Sequence, residues 1–266
     1  MTIKKDNSTL KAGAALAVLI SAICVAGFFL EIDYNAMDPG LRFIAPGKTH
    51  VMGTDNFGRD VFARVMVGTR YTLLTALATV IGSAALGSAL GMFSGFAGGW
   101  VDEIVIRLMD ALSSFPGIIL ALVMVSLFNN SHGVLIIALL ILFIPGFTRI
   151  MRNGMQRYKN RDFILAARIA GISKTRIMFY HIFPNLVPSL LSASVLGLSN
   201  AILAESTMSY LGLGIQPPVP SWGRMLSESQ TFLYNAPWCA LAPGIMIMLT
   251  VLSFHYLGEG LKEADS

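Results

Sequence analysis

Charged residues are scarce in this sequence. Aspartate, glutamate, lysine and arginine make up 13% of the 266 residues, whereas hydrophobic residues make up 55%. A soluble globular domain carries about 25% charged residues, and the mean hydropathy of this chain is +0.67. The composition therefore excludes a soluble domain and predicts an integral membrane protein.

Cysteine is also rare, and two common nucleotide and metal motifs are missing. Cys24 and Cys239 lie in or beside apolar segments, without the spacing of a zinc site or of a disulfide framework. The sequence contains neither a G-x4-G-K-[ST] P-loop nor an HExxH motif. If ATP drives this protein, another chain must hydrolyse it. The net charge of +4 has no accompanying basic and aromatic surface, so nucleic-acid binding is not indicated.

Six apolar segments, with their flanks, are long enough to cross a membrane as helices. They lie at about residues 12–30, 73–96, 104–128, 134–147, 186–211 and 236–257. No small-residue cleavage site follows the first segment, which favours an uncleaved span over a signal peptide. We predict an all-α polytopic membrane protein with about six transmembrane helices. An N-terminal part (1–72) holds the first span, an outer segment and an amphipathic helix at 60–71; the transmembrane domain is 73–266.

The basic residues are concentrated in one loop, residues 149–185, which we call the basic loop. It holds eight lysines and arginines against a single acid, Asp162. Cytoplasmic loops of membrane proteins carry such an excess of positive charge, so this loop and both chain termini are predicted to be cytoplasmic. In residues 31–70, five basic residues balance five acids, as expected on the outer side.

Small residues and prolines predict how some of the spans pack. Gly87, Gly91, Gly95 and Gly99 recur at every fourth position and would let a neighbouring helix approach closely. That neighbour is either another helix of the same chain or a second membrane subunit. In the third span, Arg107 and Asp110 are spaced for an ion pair within the helix, and Pro116 is expected to kink the helix.

Few residues are candidates for chemistry within the spans. Glu205 is the acid placed most deeply in an apolar segment, which makes it a candidate for the transport pathway. Alternatively, it has a structural role, in which it hydrogen-bonds to the hydroxyls of Ser206, Thr207 and Ser209 or caps the outer loop. His50 and His132 lie on separate predicted outer loops without a further ligand at helical spacing, so no metal site is predicted. No serine lies near a histidine suited to activate it for catalysis.

The centre of the basic loop has the pattern of two short helices. Gly171 separates a patch of small residues, Ala166, Ala167 and Ala170, from an apolar stretch that contains Phe179 and Tyr180. Pro184 is expected to end the second helix before the next span. A helical pair with a small-residue patch, placed outside the hydrocarbon, suits docking into another protein.

This loop also resembles a known family. Permeases of bacterial ABC importers carry Glu-Ala-Ala, three residues, glycine, nine residues and Ile-x-Leu-Pro in their cytoplasmic loop. Leu165-Ala166-Ala167, Gly171 and His181-x-Phe183-Pro184 fall at those spacings, with leucine in place of the glutamate. Residues 52–70, 95–117 and 204–226 also resemble the dipeptide, oligopeptide and nickel branch of that family, in its second-permease form.

The resemblance implies a non-catalytic permease of a bacterial inner membrane, surrounded by lipid. Its partners would be a second homologous permease, two ATPase chains that bind ATP and magnesium, and an extracytoplasmic substrate-binding protein. Residues 162–180 would dock on the ATPase. The residues expected to contribute to this coupling are Leu165, Ala166, Ala167, Arg168, Gly171, Ser173, Arg176, His181 and Pro184. The residues expected to contact the binding protein are Arg59, Asp60, Pro217, Pro218 and Trp222.

The expected cargo is a dipeptide or oligopeptide, since the sequence has no cluster of metal ligands. Import of nickel or of a metal chelate on the same scaffold stays open as the alternative. An intramembrane enzyme and an ATP-independent carrier are more remote alternatives. Inverted repeats would favour the carrier, and the sequence shows none that is convincing.

Overall fold

A computed structural model describes residues 33–128 and 131–265. Their helices are α1 (Val61–Ala97), α2 (Gly99–Ser114), α3 (Gly117–Leu127), α4 (His132–Tyr158), α5 (Asp162–Ile169), α6 (Lys174–Tyr210), α7 (Trp222–Ser229) and α8 (Trp238–Asp265). Short 3-10 turns lie at Pro39–Leu41 and Gln230–Phe232. The first predicted span, 12–30, lies outside the described residues.

Four of these helices, α1, α4, α6 and α8, are long and apolar enough to cross a membrane. The helices α2 and α3 pass the same test as a pair, with an angle of 86° between them. Phe115, the residue before Pro116, is extended (φ −84°, ψ 140°), as the proline ring requires of its predecessor. The described residues therefore supply four or five spans, and the expected kink at Pro116 is a complete break.

The seam between α1 and α4 is built on the predicted glycine repeat. A Cβ at Gly87 would lie 2.7 Å from Phe147 Cβ, a Cβ at Gly91 would collide with Thr148 O, and a Cβ at Gly95 would lie 2.8 Å from Arg152 O. These three glycines thus contact the backbone of α4. This confirms the prediction that the neighbouring helix belongs to the same chain. The fourth glycine of the repeat, Gly99, has open space around it.

The predicted amphipathic helix at 60–71 is wrong as a separate element. Asp60 caps α1 by accepting a hydrogen bond from Ala63 N (3.0 Å), and α1 then runs without interruption to Ala97. Its first turns are packed against the rest of the protein, because Val61 and Val65 lie in a core with Trp222 and Phe232. The start of α1 is thus held by residues that are far away in the sequence, and a local sequence pattern cannot show such contacts.

The predicted ion pair between Arg107 and Asp110 is also wrong. Arg107 Nη2 instead contacts Glu103 Oε1 at 2.5 Å, four residues earlier on α2. Asp110 accepts from Arg149 Nη2 of α4 at 2.8 Å. In a helix, residues four apart can form an ion pair as readily as residues three apart, so Arg107 can pair with Glu103. Because α4 packs beside α2, Asp110 has a cation of α4 as its partner.

Candidate functional site

The turn at Gly171 divides the basic loop as predicted. Gly171 has φ +78°, a left-handed conformation that favours glycine. The N–H of Ile172 donates to Ala167 O (3.1 Å) and the N–H of Gly171 to Arg168 O (3.0 Å). These two bonds form a Schellman motif, which satisfies the last carbonyls of α5. Because a Cβ at Gly171 would meet nothing within 4 Å, backbone conformation rather than space accounts for the glycine.

The basic loop exposes apolar side chains both before and after the Gly171 turn. On α5, Ile169 is 88% exposed and Leu165 43% exposed; on α6, Tyr180 is 76% exposed and Phe179 is half-exposed. Monomeric soluble surfaces rarely leave several large apolar side chains together in water. This surface therefore has the character of an interaction site, for a protein or for a membrane. Ile169, Phe179 and Tyr180 lie within the predicted docking segment, 162–180, but are not among its individually named residues, although apolar residues inside a basic loop are a signal for them.

The expected small-residue patch needs one correction. Ala166, Ala170 and Gly171 are exposed, but Ala167 is 93% buried and packs with Ile164 and Ile177 in the core under the loop. A residue that packs inward holds the loop against the helical bundle. Ala167 thus supports the exposed surface and does not form it.

The polar residues that are expected to contribute to ATPase coupling lie around the Gly171 turn. One guanidinium N–H of Arg168 donates to Lys159 O (3.3 Å), and Ser173 Oγ lies 3.5 Å from Thr175 Oγ1. The side chain of Arg176 is exposed. His181 is half-buried, with Nδ1 3.3 Å from Arg176 O. The contacts of Ser173 and His181 lie at the start of α6, while that of Arg168 joins α5 to the end of α4. Arg168 and Arg176 are both exposed, so their positive charge remains at the surface.

Pro184 does not end a helix, contrary to prediction. A π-helical stretch, Ile177–Ile182, precedes it, and the N–H of Phe183 bonds to Met178 O. The wider π turn accommodates the proline ring, which would otherwise clash with the carbonyl one turn earlier. As a result α6 is a single helix of 37 residues, Lys174–Tyr210, which starts in the basic loop and ends at the opposite end of the bundle.

Glu205 lies near the end of α6 that is remote from the basic loop, and its side chain is fully buried. Its carboxylate accepts from Ser209 Oγ (2.6 Å) and Ser206 Oγ (3.4 Å), and the hydroxyls of Thr72 and Ser221 are also within hydrogen-bonding reach. Hydroxyls from α6, α1 and the outer loop thus enclose it. This arrangement agrees with the structural role expected for Glu205, except that Thr207 Oγ1 donates to Leu203 O instead (2.7 Å). Glu205 presents no surface to a pathway here.

Of the residues expected to contact the binding protein, some are buried and others are exposed. Trp222 is fully buried and donates from Nε1 to Val65 O (3.2 Å). Arg59 is buried as well, with Nε 2.6 Å from Asp55 Oδ2. Asp60 caps α1, and its carboxylate also accepts a hydrogen bond from His50 Nδ1 (2.8 Å). Pro217 and Pro218 are exposed. The two prolines therefore present a surface, and the Asp60 side chain is partly exposed.

An open groove with a volume of about 460 Å³ lies between α4 and α6, and Lys262 of α8 also lines it. Phe143, Phe147 and Ile150 form one wall, while Ser192 and Asn200 lie on the other. The Asn200 side chain is exposed within an apolar span. Because an amide is costly to leave in hydrocarbon, its place in this helix points to a polar or wet surface. A polar residue within an apolar span is visible in the sequence, but the sequence analysis above does not predict this surface.

The two predicted loop histidines each have a hydrogen-bond partner. His50 is paired with Asp60, as described above, and His132 Nε2 lies 2.6 Å from Thr75 Oγ1. The residues that the structure describes contain no group of three or more histidine, cysteine, aspartate or glutamate side chains that could hold a metal ion.

Long apolar helices, a glycine seam between two of them and a basic loop that exposes apolar side chains define a polytopic membrane protein. Residues 87–262 match the family described as binding-protein-dependent transport system inner membrane component. The chain belongs to this family and is the permease component of an ABC importer.

Relatives cover most of the chain. It is 38% identical over 267 residues to the dipeptide transport system permease protein DppC of Haemophilus influenzae, covering 98% of this chain and 90% of the relative. Identity to DppC of Alkalihalophilus pseudofirmus is 37%, covering 94% and 83%. Identity to the glutathione transport system permease protein GsiD of Pectobacterium atrosepticum is 36%, covering 98% and 87%.

Proposed function

We propose that this chain imports dipeptides or oligopeptides and is coupled to ATPase subunits through residues 162–180. The exposed apolar surface around the Gly171 turn carries this proposal. A rigid helix connects that surface with the far side of the bundle, so a push on the loop would tilt α6 along its whole length. Coupling requires such an element with two positions that ATP can bias. ATP and magnesium would bind to the ATPase subunits.

The proposed assembly contains a second homologous permease, two ATPase chains and an extracytoplasmic binding protein. The groove with Asn200 is the proposed half of the translocation pathway, in place of Glu205. The surface proposed for the binding protein contains Pro217 and Pro218. Both chain termini and the basic loop face the cytoplasm in this proposal, supported by the excess of positive charge in the loop.

The cargo is supported by the names of the relatives, which are dipeptide and glutathione transport permeases. Both names describe short peptides or peptide-like molecules. An amide such as Asn200 can donate and accept hydrogen bonds, as a peptide backbone requires. Substrate selection in this proposal is shared with the binding protein.

Uptake of a labelled dipeptide, with labelled nickel in parallel, tests the cargo in cells with and without this chain. We expect loss of dipeptide uptake alone, and a reduced rate with Asn200→Ala at an unchanged amount of membrane-inserted protein. Leu203→Ala is the matched control, because Leu203 is exposed on α6 but lies outside the groove. Loss of nickel uptake alone would overturn the peptide assignment in favour of the metal alternative.

A further inference from the structure

The groove between α4 and α6 is lined by one charged side chain, that of Lys262. Its other lining residues are apolar, or are neutral and polar, such as Ser192 and Asn200. Ser192 Oγ donates to Pro188 O of its own helix (3.1 Å), whereas the Asn200 side chain is exposed. The groove thus presents a positive charge and an amide to the molecule that occupies it.

The positive charge lies at the end of the groove that is nearest the basic loop. On α8, Val251 accepts a hydrogen bond from Ser199 Oγ of α6 (3.1 Å). Later on α8, Gly258 lies against Leu196, which comes earlier on α6, and a Cβ at Gly258 would be 2.7 Å from the Leu196 side chain. The two helices are therefore antiparallel. Lys262 follows Gly258 by about one turn, which places it toward the start of α6.

The amide lies at the other end of the groove. On α6, the groove extends from Ser189 to Asn200, a distance of about 16 Å along a helix. An extended peptide of about four or five residues has this length, and a dipeptide would occupy the part next to Lys262. The groove can therefore receive the whole of a short peptide, with its two ends in different surroundings.

The charge of Lys262 is not neutralised by the side chains that the structure describes. None of the ion pairs within 4.0 Å in residues 33–128 and 131–265 includes it. Glu259, about one turn earlier on α8, has Oε1 3.9 Å from His255 Nε2 instead. No acidic side chain lines the groove. The groove is therefore complementary to an anion, and its charge would repel a bare divalent cation.

We propose that Lys262 binds the C-terminal carboxylate of the peptide cargo and thereby favours peptides with a free C-terminus. An ammonium donates strong, charge-assisted hydrogen bonds to a carboxylate, and Asn200 is left to bond the N–H or C=O groups of the peptide. The C-terminus would point toward the basic loop, because Lys262 repels the N-terminal ammonium. This inference rests on the proposed import of peptides and deepens it by naming the chemical group that is recognised.

A charge series at Lys262 tests this role in cells that carry the complete transporter. The probe is a labelled dipeptide with a free C-terminus, supplied below saturation. We expect uptake, relative to the amount of membrane-inserted protein, to be retained in Lys262→Arg. It should fall about two- to fivefold in Lys262→Gln, as for the loss of a solvent-accessible ion pair, and further in Lys262→Glu, because a carboxylate repels the cargo.

Arg157→Gln is the matched control for Lys262→Gln. Both substitutions remove one exposed cation, but Arg157 lies outside the groove and outside residues 162–180. We expect this variant to take up the dipeptide at the unmodified rate. A fall equal to that of Lys262→Gln would show that the transporter responds to its overall charge, and would overturn a specific role for Lys262.

The C-terminal amide of the same dipeptide shows whether Lys262 recognises the carboxylate. Any preference of the binding protein is the same in every variant, so the ratio of acid uptake to amide uptake is compared between variants. We expect this ratio to fall about two- to fivefold in Lys262→Gln, because only the acid loses an ion pair. The ratio should stay unchanged in Lys262→Arg and in Arg157→Gln.

Two failures of this experiment have different meanings. An acid-to-amide ratio in Lys262→Gln equal to that of the unmodified chain would overturn the role of Lys262 and leave the proposed import of peptides intact. An equal loss of acid and amide uptake gives that same ratio, so a purely structural effect of the substitution is included. Failure of the unmodified chain to take up the dipeptide would overturn the proposed cargo, and the role of Lys262 with it.

Discussion

At the scale of single residues, Gly171 shows how one position can determine the shape of a surface. Its left-handed backbone, φ +78°, closes α5 and turns the chain so that Ile169 on one side and Tyr180 on the other both remain exposed. The position is free of steric contact. Substitutions there consequently report on conformation alone.

Replacing Gly171 should reduce the coupling activity, and more strongly the less readily the new residue adopts the left-handed backbone conformation. An L-residue with a Cβ pays about 1–2 kcal/mol in this conformation, and asparagine tolerates it better than alanine. Proline cannot adopt it and also removes the N–H that bonds to Arg168 O. We expect peptide uptake and substrate-stimulated ATP hydrolysis to fall in the order Gly171→Asn, Gly171→Ala, Gly171→Pro. Membrane insertion should stay normal in all three, and full coupling in the proline variant would rule out this role.

At the scale of helices, the seam between α1 and α4 depends on the absence of side chains. At Gly91 an added Cβ would collide with backbone, at Thr148 O, and would also lie 2.9 Å from Arg152 N. Backbone of a packed helix cannot move aside cheaply. The separation of the two helices is therefore set by these glycines.

Gly91→Ala should destabilise the bundle, because α1 and α4 must move apart to admit the methyl group. Overpacking of this kind costs typically about 1–3 kcal/mol, which would appear as a lower midpoint of thermal unfolding in detergent. Gly133→Ala is the control: it lies in the first turn of α4, and a Cβ there would meet nothing within 4 Å. Equal midpoints for the two variants would contradict the close approach of the helices.

At the scale of the whole molecule, a network of buried charges joins two segments that are far apart in the sequence. Arg64 Nη2 donates to Glu228 Oε2 (3.1 Å), 164 residues later, and Arg59 Nη2 lies 3.5 Å from the same oxygen. Asp55 pairs with Arg59 at 2.6 Å. Arg224 Nε also donates to Glu228 Oε1 (3.2 Å), so three cations and two carboxylates hold α7 against the start of α1.

Removing one carboxylate from this network should be costly. Asp55→Asn leaves Arg59 and Arg64, both buried, with a single acid, and breaking a buried pair typically costs about 3–5 kcal/mol. Glu103→Gln provides the comparison, because the Glu103 pair with Arg107 is exposed and such pairs contribute about 0–1 kcal/mol. We expect a much lower yield of folded protein for Asp55→Asn in size-exclusion chromatography. A normal yield for that variant would show that the outer segment is held by its apolar contacts alone.

The sequence by itself determined the class of protein, the places of the described spans, the basic loop and its turn at Gly171. Composition, apolar length and the requirement for a left-handed residue are local properties, so the sequence displays them directly. Tertiary structure alone decided that Ala167 and Trp222 point inward, that Glu205 is enclosed by hydroxyls, and that Asp110 pairs with Arg149. Those outcomes depend on which helices lie side by side, because burial and ion pairing are set by distance in space and not by spacing along the chain.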